Sequence, residues 1–343
     1  MDKKIINKLL KQAQEYESLN LAIEENDSGH LSVNYLLPSG QRRVLGLPPK
    51  LEADLKASIQ QVLNLTPGEL INKKYFKLQG PKEQFNFWLT VAPQGNGERF
   101  FIQIASKQPK CWRLNQLGFD RQSLKVLTAA IKKRQGLILV SAPDNQGKST
   151  TLGTLVKEID RPDISAYYFH SGPGASCQFT HVNQVVNNST NWEKIMKLDS
   201  EVLIIEISNQ LDLINALRAG ASGRLVLASI KAHSSWQALD YCLKAPLPLT
   251  LKNNSLQLII NQRLAPLRRQ QLAAAEQKIN QRDTIGVFEL LPLTPKIQDF
   301  ITLSSQEKNK LNFWNDLSRL ANQQGFLPLK KDFANKKRFG LIL

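Results

Sequence analysis

The sequence predicts an α/β protein of two domains, a smaller α+β domain followed by a larger domain built on a parallel sheet. The chain has 343 residues, which is more than one small domain needs. Its first third contains alternating strand-like runs such as FNFWLTV (85–91). Its second part contains the all-apolar run GLILV (136–140) and the mainly apolar runs EVLIIEI (201–207) and GRLVLASI (223–230), separated by helical segments. Such alternation of buried strands and helices is typical of a doubly wound α/β domain.

The composition favours a folded chain with a basic surface. Hydrophobic residues make up 42% and charged residues 22%, which supports real cores and argues against disorder. The net charge is +16, which attracts nucleic acid, anionic lipid or nucleotide phosphates. The basic residues are scattered, with modest clusters at 132–134, 268–269 and 330–338, and no RNA-binding aromatic signature or helix-turn-helix pattern accompanies them. A general basic surface is therefore favoured over specific nucleic-acid binding.

The chain is expected to be cytoplasmic and without a transmembrane segment. No apolar run approaches the roughly 20 residues that cross a bilayer, and the first residues lack the apolar core of a signal peptide. The cysteines Cys111, Cys177 and Cys242 lie far apart and form no CxxC pair. Free buried thiols are predicted, and a cysteine-rich zinc site is not.

The elements of the first domain follow in order. Residues 1–28 are predicted as a polar helical extension, and 29–107 as the α+β domain. Within the latter, strand-like runs flank a Pro-Ser-Gly turn at 38–40, and Leu51, Leu55 and Ile59 recur at helical spacing. Strands resume near Tyr75, and the polar segment KQPKCWR links to the second domain.

The second domain is predicted over 112–343. The segment 114–135 has the acidic start and basic end that suit one helix, and GLILV follows as a buried strand. A helix begins near Lys148, two buried strands lie at 201–207 and 223–230, and the tail from Ile285 is predicted to be mainly helical.

The segment LILVSAPDNQGKSTTLGTL (137–155) has the pattern of a phosphate-binding loop. In such a loop, consecutive backbone N–H groups and the N-terminus of the next helix face the anion. Gly147, Lys148 and Ser149 stand between a strand and a helix, as the motif requires. Lysine reaches the outer phosphates and the serine hydroxyl coordinates Mg²⁺ through the nucleotide.

The loop departs from the usual pattern at three positions. Ala142 stands where the first glycine is expected, and a glycine-only backbone there would cost alanine about 1–2 kcal/mol. Asn145 replaces a middle glycine, which is a mild change because asparagine tolerates left-handed angles. Asp144 adds a negative charge that weakens phosphate binding unless it points away.

Residues 114–155 resemble the core of the type II secretion and type IV pilus assembly ATPases. Pro143, Gly147, Lys148, Ser149, Thr150, Thr151 and Leu152 match the family's loop, and the segments 182–186, 198–208, 216–235, 258–267 and 284–301 match further motifs in order. The resemblance implies a RecA-like P-loop NTPase domain preceded by a PAS-like domain. It further implies ATP and Mg²⁺ as cofactors, a hexamer, and a partner in the cytoplasmic region of an inner-membrane secretion or pilus protein, which places the chain at the periphery of that membrane.

The departures from this family fall where it carries out hydrolysis. Its acidic box falls opposite HSGPGA (170–175), which has no carboxylate, and Arg224 and Lys231 replace its two histidines. The arginines of its first-domain strands are missing, because those strands are LSVNYLL and FWLTVAP here, and its zinc-binding cysteines are absent, so no zinc is expected. Glu206 aligns with the Walker B glutamate and is the candidate catalytic residue. Arg224 is a candidate for the missing positive charge at the nucleotide.

Three functions remain open at this point. In the first, a degenerate ATPase binds ATP through Pro143, Gly147, Lys148, Ser149 and Thr150 and hydrolyses it weakly or not at all. In the second, the chain is a pseudo-ATPase that acts as a scaffold or regulatory subunit. In the third, it is a basic P-loop protein associated with nucleic acid.

Overall fold

A computed structural model describes most of the chain as two compact units, Met1–Gln108 and Pro109–Leu343. The described residues are 4–16, 18, 20–25, 30–37, 41–62, 71–79, 84–94, 97–104, 112–170, 179–186, 192–268, 284–304 and 311–342.

The first unit is a six-stranded antiparallel sheet with two helices. Its strand order is β3-β2-β1-β6-β5-β4. Its elements are α1 (Lys4–Glu15), β1 (Asn20–Glu25), β2 (Leu31–Leu36), β3 (Arg42–Gly46), α2 (Pro49–Val62), β4 (Ile71–Gln79), β5 (Gln84–Gln94) and β6 (Gly97–Ile104).

The predicted helical extension over 1–28 is wrong in its second half. Asn20–Glu25 is a strand that pairs with β2 on one side and β6 on the other. Leu21 and Ile23 are fully buried because alternate residues of the strand point into the core. The helix itself buries Ile6 and Leu10 in the same core, so both parts belong to the first unit.

The second unit is a seven-stranded sheet between helical layers, in the order β13-β12-β7-β11-β10-β8-β9. The six strands other than β13 run parallel, and β13 is antiparallel to β12. Its strands are β7 (Gly136–Ala142), β8 (Ala166–His170), β9 (Asn183–Val186), β10 (Val202–Glu206), β11 (Leu225–Lys231), β12 (Leu256–Pro266) and β13 (Thr284–Pro292). Its helices are α3 (Arg121–Lys132), α4 (Lys148–Glu158), α5 (Trp192–Lys197), α6 (Gln210–Ala221), α7 (Ser235–Lys244), α8 (Leu249–Ser255), α9 (Pro295–Leu303), α10 (Leu311–Gln323) and α11 (Leu329–Arg338), with a short 3-10 helix at Leu114–Gln116.

Strand β7 shows why the run GLILV is apolar throughout. Leu137 and Leu139 enter the core on one face of the sheet, and Ile138 and Val140 enter the core on the other. All four are fully buried. A strand covered on both faces has no polar side, as the sequence predicted.

Two predicted helical segments differ in the structure. The segment 114–135 is interrupted, because Gly118 adopts a left-handed backbone (φ +105) and Asp120 caps a new helix by accepting from the Ser123 N–H at 2.6 Å. The start of the predicted helical tail, Thr284–Pro292, is instead strand β13, whereas the later tail forms α9, α10 and α11. A short apolar run such as VFELL suits either a buried strand or a buried helix.

Cys242 is a free, fully buried thiol on α7, and burial raises its pKa to about 12. Cys111 and Cys177 lie outside the described residues. Within the described ranges, no helix is long and apolar enough to span a membrane.

Candidate functional site

The predicted phosphate loop joins the end of β7 to the start of α4. Asn145 (φ +59) and Gly147 (φ +79) both adopt left-handed backbone angles. The expectation that asparagine tolerates this conformation is therefore confirmed at Asn145. The expected strain at Ala142 is wrong, since Ala142 is the buried last residue of β7, pairs with Lys231 and has no positive φ.

Gly147 is restricted by a neighbour as well as by its backbone. An ideal Cβ at this position would lie 2.9 Å from Gln262 Nε2 on β12. Gln262 also donates a hydrogen bond to the carbonyl of Gln146, and Gln146 Oε1 accepts from the Leu264 N–H at 2.8 Å. The loop is thus fixed to β12 by residues about 116 positions away along the chain. The loop pattern alone did not reveal Gln146 and Gln262 as part of the site.

Lys148 is folded back onto its own loop. Its Nζ donates to the carbonyls of Ala142 at 3.0 Å and Pro143 at 2.9 Å. Asp144 Oδ1 lies 3.9 Å from the same Nζ, and the Lys148 side chain is 18% exposed. The ammonium is therefore held at the mouth of the loop, and it must exchange these carbonyls for phosphate oxygens to bind a nucleotide.

Asp144 is turned toward a second lysine. Lys231, the last residue of β11, donates to its carboxylate at 2.5 Å, and both side chains are 64% exposed. From the sequence, this carboxylate is expected to weaken phosphate binding unless it points away from the loop, and it does not point away. Instead it lies between the two cations, where it partly neutralises both.

Ser149 and Thr150 lie in the first turn of α4. The Thr151 N–H donates to the carbonyl of Gly147 at 3.0 Å, which marks the start of the helical hydrogen bonds. The N–H groups of the first turn have no intrahelical carbonyl and face the loop. Together with the exposed Ser149 hydroxyl, they match the arrangement that the sequence predicted for phosphate oxygens and a magnesium ion.

Glu206 ends β10 at the same edge of the sheet. In the register of the sheet it lies beside Ser229 of β11, which lies beside Val140 of β7. Two strand spacings therefore separate it from β7, or about 10 Å between backbones. The buried Tyr168 donates its hydroxyl to Glu206 Oε1 at 2.9 Å, which fixes the direction of the carboxylate.

Arg224 is not part of this site, which corrects the sequence prediction. It precedes β11, and its carbonyl accepts from the N–H of Gly136 at the beginning of β7, so it lies at the opposite edge of the sheet. Its guanidinium donates to the carbonyls of Met196, Leu198 and Ser200 at 3.0–3.2 Å. Arg224 ties the end of α5 and the segment after it to the amino end of β11. Of the two residues that replace the family's histidines, Lys231 is the one that reaches the loop.

A buried asparagine connects the strand ends beneath the loop. Asn261 of β12 is 1% exposed and donates to Ser141 Oγ at 2.9 Å and to the carbonyl of Ala232 at 3.3 Å. These bonds join the middle of β12 to the carboxyl ends of β7 and β11. The loop therefore begins from a rigid base.

No group of three or more His, Cys, Asp or Glu side chains that could hold a metal ion occurs among the residues described. The family's acidic-box position (170–175) lies almost wholly outside them, apart from the backbone of His170. Of the described residues, Ser149 and Glu206 are the sequence-predicted candidates beside a nucleotide-bound magnesium ion.

The fold is that of a RecA-like P-loop NTPase. Its sheet is largely parallel, its loop has two left-handed residues before the helix that begins with Lys148, and Glu206 lies two strands away from β7. The chain belongs to the family described as "Type II/IV secretion system protein", whose profile matches residues 3–325.

Curated relatives are similar over most of this chain. The type II secretion system protein E of Xanthomonas campestris is 21% identical over 308 residues, which are 87% of this chain and 53% of the relative. The type IV pilus assembly ATPase PilB of Myxococcus xanthus is 23% identical over 273 residues, 76% of this chain and 48% of the relative. The chain thus spans about half the length of these relatives.

Two solved structures show the same fold over the whole chain. The ATPase DotB of Legionella pneumophila superposes with a TM-score of 0.69 at 13% identity and is covered to 94% of its length. The pilus retraction motor PilT, solved with bound ADP, superposes with a TM-score of 0.68 at 18% identity and is covered to 95%. These likenesses support the fold of the chain; the PAS-like character of the first unit stays a prediction.

Proposed function

We propose that this chain binds ATP at residues 143–150 and hydrolyses it weakly or not at all, as a degenerate member of its family. The observation that carries the proposal is the geometry of the loop. Asn145 and Gly147 hold the left-handed angles of a phosphate loop, and Lys148 stands at its mouth at the start of α4. A bound triphosphate would be held by the Lys148 ammonium, the first-turn N–H groups and, through magnesium, Ser149.

Weak hydrolysis is expected from the residues that surround Lys148. Phosphoryl transfer depends on positioning and on positive charge at the transferring group, and an absent arginine finger alone costs about 10³–10⁵ in rate. Glu206 is the one carboxylate of the motif set that the sequence keeps, and Arg224 is committed to three carbonyls at the opposite edge. Lys231 reaches the loop but is paired with Asp144.

We further propose that the chain acts in a type II secretion or type IV pilus machinery, as a hexamer at the cytoplasmic side of an inner-membrane component. Family membership and the names of the relatives support this proposal. Light scattering with and without nucleotide tests the hexamer. A stable monomer under both conditions would contradict it.

A second candidate is a scaffold subunit that binds no nucleotide. The engagement of Lys148 with two loop carbonyls, and the nearby carboxylate of Asp144, favour it. Calorimetric titration of the full chain with ATP, with and without Mg²⁺, separates the two candidates. Saturable binding supports the proposal, and no heat with the folded protein supports the scaffold.

A further inference from the structure

The outer face of α11 carries cations and aromatic rings together. Four of its residues, Lys330, Lys331, Lys337 and Arg338, are exposed. Phe333 is 43% exposed, and Phe339, which directly follows the helix, is 70% exposed. These six side chains are called the basic–aromatic patch below.

The opposite face of α11 fixes the helix to the sheet. Asp332 and Lys336 form a buried ion pair one turn apart, and Asp332 also accepts from the Phe288 N–H of β13 at 2.8 Å. Asp332, the acidic residue of α11, therefore faces the interior and does not neutralise the outer face. The outer face keeps four positive charges and no negative one.

Only some of the basic residues described in the second unit are paired with carboxylates, and the cations of the patch are among those that are not. Elsewhere, Arg134 pairs with Asp163 and Glu201, Lys231 with Asp144, and Lys244 with Asp240. By contrast, the four cations of the patch form no ion pair with any residue in the described ranges. Exposed Arg268 extends the positive charge, since its N–H donates to the carbonyl of Leu341 just beyond the patch.

We propose that the basic–aromatic patch binds the surface of a bilayer containing anionic phospholipid. Clusters of four to eight Lys or Arg on a surface helix match the charge of such a surface. Phenylalanine has no polar tip, so an exposed ring gains from entering the boundary between headgroups and acyl chains. Since lysine and arginine suit nucleic acid as well as lipid, the two exposed phenylalanine rings are the feature that favours the bilayer.

This binding is independent of the nucleotide loop, because no residue of the patch contributes to residues 143–150. It supplies a physical basis for a peripheral position at a membrane that does not rely on a protein partner. A chain that fails to bind ATP would still bind the lipid surface, so the two proposals fail separately.

Co-sedimentation of the full chain with large vesicles tests the proposal. Binding is expected with phosphatidylcholine mixed with phosphatidylglycerol, and is expected to fall with raised salt and to be near zero with phosphatidylcholine alone. Replacing all four cations, as Lys330→Gln, Lys331→Gln, Lys337→Gln and Arg338→Gln, should weaken partitioning at least about 100-fold, since each contributes about fivefold.

A matched variant removes the same charge elsewhere on the second unit. Its substitutions are Lys125→Gln, Lys132→Gln, Lys133→Gln and Lys157→Gln, all at exposed positions on or next to α3 and α4. It should retain most of the binding. An equal loss in both variants would show a diffuse charge effect and overturn the proposal, as would unchanged binding of the α11 variant.

The aromatic half of the patch has its own test. Phe333→Ser with Phe339→Ser leaves the charge intact and should weaken vesicle binding about tenfold while the salt dependence persists. Because both rings are exposed, melting temperature and circular dichroism should stay as in the parent chain. Anisotropy with labelled single-stranded DNA gives the competing outcome. DNA binding that the α11 variant abolishes, from a chain that does not sediment with anionic vesicles, would assign the patch to nucleic acid instead.

Discussion

Two regions at the same edge of the second sheet, the loop 143–150 and the end of β10, differ in how much of a nucleotide site they retain. The loop keeps its left-handed residues, its lysine and a docking contact to β12. At the end of β10, Glu206 is held by Tyr168, and the sequence that follows is Ile207-Ser208-Asn209. Holding a triphosphate and cleaving it depend on different residues, so a chain can keep the first ability while it loses the second.

The largest expected effect lies in the loop. Lys148→Ala removes the ammonium that would bind phosphate oxygens in place of the two loop carbonyls. Charge-assisted hydrogen bonds of this kind are worth about 1.5–3 kcal/mol. ATP affinity measured by calorimetry should fall about 10- to 100-fold. Lys157→Ala, at the exposed far end of the same helix, should bind like the parent. Equal affinity of the two variants would contradict the assignment of the loop.

Gly147→Ala should have the next largest effect. The left-handed backbone costs alanine about 1–2 kcal/mol, and its Cβ would press on Gln262 Nε2. ATP affinity is expected to fall about tenfold. Gly223→Ala is the matched control, because Gly223 also has a positive φ (+92) but meets nothing within 4 Å. Gly223→Ala should lower the stability of the chain without lowering ATP affinity. Loss of ATP affinity in this control would show that backbone strain far from the loop also weakens binding.

Several of these features could be predicted from the sequence, and others could not. The strand, the lysine and the left-handed Asn145 follow from local pattern and backbone chemistry. The bond from Gln262 to the loop joins residues far apart in sequence, so no local pattern reveals it. The position of Arg224 was also predictable from the sequence, because it precedes a parallel strand, and the amino ends of parallel strands lie opposite the edge that carries the loop.

A smaller effect, a gain in ATP affinity, is expected from a substitution at Asp144. Asp144→Asn removes a carboxylate 3.9 Å from Lys148 Nζ and releases Lys231. Exposed ion pairs are worth about 0.2–1 kcal/mol, so ATP affinity should rise about two- to fivefold at low salt. Asp316→Asn, which breaks an exposed pair with Arg319 on α10, should leave affinity unchanged. A weakened affinity in Asp144→Asn would mean that the carboxylate supports the loop.

Arg224→Ala should not change ATP affinity at all. The guanidinium holds three carbonyls, and hydrogen bonds to a charged group contribute about 1.5–3 kcal/mol. The melting temperature should therefore fall by about 3–10 °C. A loss of affinity in a variant that melts like the parent would restore Arg224 to the nucleotide site.

The central claim is that anchoring persists while turnover is lost, and phosphate release at saturating Mg-ATP tests it most directly. A typical turnover of about 10 per second, reduced by the missing positive charge, predicts at most about 10⁻² per second. Glu206→Gln should remove what remains and leave affinity unchanged, and Lys148→Ala sets the background. Release of about 1 per second or more that disappears in Lys148→Ala would contradict the account and make the chain a working ATPase.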